Sequence, residues 1–286
     1  GNAGTVTAIE LAMQTLDYPM DQFLDYALWL TAWESRGTWL PLVERGEATF
    51  GGNSEHMTFA LTAVGSPAVV PRLIALLSSD DLAGQRWNDT VQLVVSRGNA
   101  QQFGDVLRIV VAESNPAQKH ALLREIVSAA RQRNIRPSGD LRELDGLLAD
   151  DQTVAVRSEA ALAAGLWKVG RHAGLLSRLA NDRSANLTLR TSAISGLVAM
   201  NMKGLDESLE MFAANQEEPF GIREAAVLGL AQRDAGHGAG VLIDLLSTAE
   251  NADPTKLVQS FLQLKAGPAA LAAVLKERKL PADSAK

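Results

Sequence analysis

Four windows decide the fold: DQTVAVRSEAALAAGL (151–166), SANLTLRTSAISGLVA (184–199), EEPFGIREAAVLGLAQ (217–232) and ENADPTKLVQSFLQLK (250–265). They place Arg157, Arg190, Arg223 and Lys256 at a constant spacing of 33 residues. Three residues past the basic position stand Ala160, Ala193, Ala226 and Gln259, and six past it Ala163, Gly196, Gly229 and Leu262. Nineteen past it stand Leu176, Leu209, Leu242 and Leu275. A fixed period of this length is the mark of a stacked-repeat architecture, in which no unit buries its apolar face without its neighbours.

Each unit reads as two helices. In 185–200, Leu187, Ala193, Ile194, Leu197 and Val198 recur at three- and four-residue steps and make one apolar face. Residues 204–214 supply the next helix with Leu205, Leu209 and Phe212, and the Asn215–Pro219 stretch is turn chemistry. Working towards the N-terminus, 54–64 aligns with 85–97 at a step of 34, and Ser66-Pro67 and Asn115-Pro116 mark helix starts. The register predicts eight helix pairs: 5–15/20–34, 38–46/54–64, 66–78/85–97, 100–113/116–133, 138–149/152–168, 172–181/185–200, 204–214/218–232 and 237–249/253–265. A last helix at 267–279 closes the array. The step from Lys119 to Arg157 is 38, which puts a longer internal loop near 131–139. No segment alternates with the period of a strand.

Composition narrows the chemistry. A net charge of −6 and a pI near 5.3 argue against a nucleic-acid partner, which needs a concentrated basic face. With no cysteine there is no disulfide frame, thiolate zinc site, thiol nucleophile or covalent heme attachment. No apolar run reaches the roughly 18 residues of a membrane span; 262–275 is interrupted by Lys265, Gly267 and Pro268. Gly1 in place of Met and the linker-like LPADSAK (280–286) are what a segment of a longer protein would carry.

The pattern Asp151, Val154, Arg157, Ala160 resembles the HEAT repeat, whose acidic and basic positions join neighbouring units in a ladder of hydrogen bonds. The resemblance implies an all-α, right-handed α-solenoid of HEAT or armadillo type, a single domain over 1–286. Its ladder falls on Asp151, Arg157, Arg190, Glu217 and Arg223, with Ser184 and Glu250 in the remaining acidic positions. Lys256 cannot present a planar fork, so the last rung is the weakest. A phosphate-binding use of the three arginines competes with their own acidic partners.

A second resemblance rests on TLDYPMDQFLDYALWLTAWE (15–34) and FGGNSEHMTFALTAVGSPAVVPRLIALL (50–77). These stretches resemble the HEAT segment of large bacterial membrane-bound-dehydrogenase-like, heme-binding proteins, which join a propeller, a HEAT array and a cytochrome c module. The resemblance implies an exported electron-transfer parent, with catalysis and heme outside this chain and no cofactor within it. The function expected is a non-catalytic structural and protein-interaction module. Its partners are neighbouring domains or a redox partner, not nucleic acid. The alternative is an enzyme on HEAT-like repeats, such as a DNA glycosylase or a bilin lyase.

Eight of the fourteen aromatics lie in the first 60 residues, and Tyr26, Trp29 and Trp33 share one helical face. Such a row serves first as a bulky core for the first units. Its second reading is a docking face for a neighbouring domain, with Tyr26, Trp29, Trp33 and Trp39 as the candidates. His56, His120, His172 and His237 are scattered without acidic companions and lack metal-ligand spacing, so no metal site is expected. Asp17, Asp21 and Asp25 read as caps and a solvated face, because Pro19 interrupts the set. FGGNSE (50–55) lacks the lysine of a phosphate loop, and Asn53 or Ser54 as a helix cap accounts for it.

Overall fold

The computed structural model describes residues 2–78, 84–248 and 255–277; the side chains of residues 2–6 and 85 are not among those described. Gly1, the Val6 side chain, Glu250 in the fourth acidic position, the predicted helix ends at 249, 253–254 and 278–279, and the tail 280–286 lie outside them. Among the described residues every regular element is helical and none is a strand. The chain divides into two compact units, residues 1–143 and 144–286.

The first unit holds α1 (Asn2–Met13), α2 (Gln22–Glu44), α3 (Ser54–Val64), α4 (Val70–Leu77), α5 (Gly84–Arg97), α6 (Ala100–Ala112) and α7 (Pro116–Arg133). Caps set the starts: Asp21, Asn53, Asn99 and Asn115 each accept backbone N–H bonds from the first turn of α2, α3, α6 and α7. Helices α3, α5 and α7 pack in one row and α4 packs on α6 in another, with α3·α4, α4·α5 and α6·α7 joining the rows. Helix α2 packs on α1 and α3 through Leu28, Ala32, Trp39, Leu42 and Val43.

Two expected elements differ. The predicted helices 20–34 and 38–46 are one 23-residue helix, α2. Gly37 is accommodated in open space, and Pro41 lies inside the helix. The predicted helix 138–149 shrinks to α8 (Glu143–Leu147), because the irregular stretch runs over 134–142, a few residues beyond the expected loop. Asn134 adopts a left-handed conformation and stops α7.

The second unit continues with α9 (Val154–Leu166), α10 (Ala173–Asn181), α11 (Leu187–Met200), α12 (Leu205–Ala214), α13 (Phe220–Arg233), α14 (Ala235–Thr248), α15 (Thr255–Leu262) and α16 (Gly267–Glu277). Helices α9, α11, α13 and α15 pack successively in one row, and α12, α14 and α16 in a second. The 33-residue register describes this core. Ala160, Ala193, Ala226, Leu176, Leu209 and Leu242 are all fully buried, and Leu197 is buried beside them. Helix α11 is buried against α9, α10 and α13 over most of its length and leaves Leu187, Thr188, Ser195 and Ala199 exposed.

Backbones touch where α9 meets α11. A Cβ built on Gly165 would lie 2.3 Å from the Gly196 carbonyl oxygen, and one on Gly196 would lie 2.5 Å from that of Ala161. Only hydrogen fits at either position. The register fails in the last step. Gln259 and Leu262 are exposed, while Leu257 and Phe261 are fully buried, 31 residues after Ala226 and Leu230. Those two large apolar residues, four apart, take the buried stripe of α15 and turn Lys256 outward.

Gly196→Val should force α9 and α11 apart and cost about 1–3 kcal/mol or more. Gly240→Ala, in open space at mid-helix, should stabilise by about 0.5–1 kcal/mol. Urea unfolding of both variants checks this; equal effects would remove the backbone contact.

Candidate functional site

Two constellations carry chemistry, one in each unit. The first is the set of arginines at the 33-residue spacing. Arg190, on α11, is 2% exposed. Its Nε donates to the Ala180 carbonyl at 3.0 Å, and its Nη2 donates to Glu218 Oε2 at 2.7 Å across to the next hairpin. Glu218 is equally buried, so the pair is desolvated on both sides. Arg223 repeats the first contact, donating from Nε to the Ala213 carbonyl at 2.9 Å, but its Nη2 reaches the Thr248 hydroxyl at 2.8 Å. Burial pushes its guanidinium below the ordinary value.

The acidic positions read from sequence are displaced by one. Arg157 pairs with Asp150 at 2.6 Å, while Asp151 is exposed and accepts from Gln152. Arg190 takes Glu218, while Glu217 faces solvent and pairs with Arg183 at 3.0 Å. The reason is the turn that closes at Glu218, whose N–H donates to the Asn215 carbonyl. It turns Glu218 inward and Glu217 outward. Pro219, directly after Glu218, was the available signal, since a pre-proline residue is held extended. Arg157 Nε has no hydrogen-bond partner. Lys256 is exposed near Glu224, whose carboxyl is pushed up by burial and drawn back by that lysine.

The histidines have the acidic companions that the sequence hid. His56 meets Asp17 at 2.8 Å, His172 meets Asp145 at 2.6 Å and His237 meets Glu210 at 3.0 Å. The last two pairs, and Arg233 with Asp206, each span 27 residues. Arg233 also bonds Asn201 and the Met202 carbonyl, and its fork holds the Asp206 carboxyl below the ordinary 3.8. Among the described residues no group of three or more histidine or acidic side chains is arranged to hold a metal ion.

The second constellation lies on α2. Tyr26 is 62% exposed, and Trp29 and Trp33 are each 39% exposed. Tyr26 and Trp29 have centroids 6.2 Å apart and planes 11° apart; Trp29 and Trp33 are 6.3 Å and 7° apart. The Arg36 guanidinium stands 3.8 Å from the Trp33 ring centre. Phe23 and Tyr18 are exposed nearby. Trp39 does not belong to this row. It is fully buried, donates to the Ala32 carbonyl at 3.0 Å and meets the Phe50 ring edge-on. Six residues beyond Trp33, about 1.7 turns of helix, it falls on the stripe of α2 that faces α1 and α3.

Comparison with protein-family models, curated proteins and solved structures finds no match to this chain.

Glu218→Ala should cost about 3–5 kcal/mol because it strands a buried guanidinium, and replacing the pair with Arg190→Met and Glu218→Leu should recover most of that loss. Glu217→Gln should change stability by less than about 0.5 kcal/mol. Chemical denaturation of the three variants decides which glutamate holds the arginine.

Asp206 supplies a pH test. Its folded-state pKa is lowered, so its contribution is present above the unfolded-state value and is lost as pH falls through the folded one. Asp206→Asn should flatten the fall of stability below about pH 4 and leave its slope near neutrality unchanged. An unaltered acid limb would remove the Arg233 contact as a source of acid sensitivity.

Proposed function

We propose that this chain is a non-catalytic helical-repeat module of HEAT type whose work is to bind protein. The observation that carries the reading is the exposed row Tyr26, Trp29, Trp33. Three large rings lie on a face of α2 turned away from the residues that pack against α1 and α3. Aromatic side chains are concentrated at the centres of protein interfaces because they bury much area at little entropic cost. The two-row packing within each unit and the 33-residue recurrence of buried positions support an α-solenoid of HEAT type as the scaffold. The inter-hairpin bond from Arg190 to Glu218 supports a ladder role for the arginines in place of anion binding.

The resemblance of 15–34 and 50–77 supports a more specific assignment. In it the module links or docks the dehydrogenase-like and cytochrome c parts of an exported multidomain protein. The cofactors belong to those parts and none to this one. No single helix among the described residues is long and apolar enough to cross a membrane, and the proposed partners are proteins.

If the row is a docking face, Trp29→Ala combined with Trp33→Ala should lower stability by no more than about 1 kcal/mol, as at other surface positions. Trp39→Ala should cost about 3–5 kcal/mol. A benzoylphenylalanine placed at Tyr26 in the full-length protein in its native cell should give a discrete protein cross-link on irradiation. Loss of that cross-link in the Trp29→Ala background would localise the contact. A double tryptophan variant as unstable as Trp39→Ala would make the row core, and absence of any cross-link would remove the docking reading.

A further inference from the structure

The face assigned to a partner has a chemical bias of its own. One end of its row already carries a guanidinium, Arg36 over Trp33 at 3.8 Å. Carbon atoms cannot come that close to a ring centre within the ring plane, so the cation lies over the face. There the negative π-cloud attracts it. At the other end Tyr26 is open, and among the described residues no cation stands over Tyr26 or Trp29.

Beside Trp29 opens a cleft of about 190 Å³ between α2, α3 and α5, into which Asp25 and Asp89 bring two carboxylates against the single guanidinium of Arg86. Arg86 itself lies over the Phe59 ring at 5.1 Å. Two hydroxyls of the cleft wall, those of Thr58 and Thr62, have no hydrogen-bond partner, and Thr58 is 1% exposed. The contrast with Thr31 and Thr90 is direct, since those hydroxyls donate to the carbonyl four residues back. The cleft is therefore net negative, and its two unbonded hydroxyls can each accept a hydrogen bond.

We propose that the α2 row and this cleft receive an arginine side chain of the protein partner. The guanidinium plane rests on the Tyr26–Trp29 end of the row, and its N–H groups are directed to Asp25 and the Thr58 hydroxyl. Arginine suits the site better than lysine because its cation is flat, weakly hydrated and carries five donors. The carboxylates, with a chain charge of −6, oppose a nucleic-acid occupant. The inference rests on the docking reading of α2 and adds the chemistry of what docks.

The test uses the whole chain with its five tryptophans replaced biosynthetically by 5-fluorotryptophan, each resonance assigned by a Trp→Phe variant. The probes are three end-blocked peptides, Gly-Arg-Gly-Arg-Gly and its lysine and citrulline counterparts, citrulline being the flat but uncharged analogue. The arginine peptide should shift the Trp29 and Trp33 signals saturably and leave those of Trp39 and Trp167 still. The lysine peptide should bind more weakly, and the citrulline peptide should lose the response. Asp25→Asn and Thr58→Val should each weaken the arginine peptide by about twofold to tenfold, the range of a partly desolvated cation–π and hydrogen-bond contact. Equal shifts with citrulline would overturn the arginine assignment and leave the docking face standing. No shift with any peptide, together with a Tyr26 cross-link in the cell, would do the same. Self-association of the free chain that Trp29→Ala abolishes would make a second copy the occupant and overturn it. No peptide response and no cross-link would end both readings.

Discussion

The contact between two backbones, Gly165 of α9 and Gly196 of α11, sets the spacing on which the second unit depends. Helices ordinarily stand apart by the thickness of their side chains. Here a missing Cβ on each side lets the main chains meet, and Ala161 continues the same close seam. That closeness has a second consequence. It brings the Arg190 guanidinium within reach of two hairpins at once, with Nε on the carbonyl that ends α10 and Nη2 on the carboxylate that precedes α13. The cation satisfies an orphan helix-terminal carbonyl while it is itself neutralised. Packing and electrostatics therefore specify the same register, and a slip of one residue would break both.

The core of the second unit was legible because it repeats. Three alanines and three leucines at a constant step are all fully buried, and reading them needed only the period. The last step was misread for a physical reason. The lysine at position 256 kept the spacing while the apolar pair Leu257 and Phe261 had moved by two, and burial follows the apolar pair. The positions of the arginines were readable from the spacing, but their acidic partners were not. Which of two adjacent glutamates turns inward is decided by a turn of a few residues, and a two-position ambiguity of this kind lies below the resolution of periodicity. In the first unit, the Ser35-Arg36-Gly37 stretch looked like a break. Helix α2 runs through it because its flanks, Ala32 and Trp39, are both held in the core. The His–carboxylate pairs were invisible because each joins residues 27 or 39 apart whose meeting depends on the packing itself.

The aromatic row stands outside this logic. Trp39 and Phe50 fill the interior near α1 and α3, so the stack does not need Tyr26, Trp29 or Trp33 for its own burial. Sequence gave the skew of aromatics but could not divide it, because helical phase separates Trp33 from Trp39 only once α2 is known to be continuous. The division matters for function. Surface specificity comes from the few places where apolar area and directed polar groups coincide. Around Trp29 they do: stacked rings, two carboxylates and two unbonded hydroxyls converge on one cleft.

The central claim is that Trp29 and Trp33 belong to the surface while Trp39 belongs to the core. Hydrogen exchange of the indole N–H groups, followed by NMR in the native chain, separates these most directly. The Trp39 indole, buried and bonded to the Ala32 carbonyl, should exchange only through unfolding, whereas those of Trp29 and Trp33 should exchange at close to the free rate. Protection of all three to the same degree would place the row inside the protein and contradict the account.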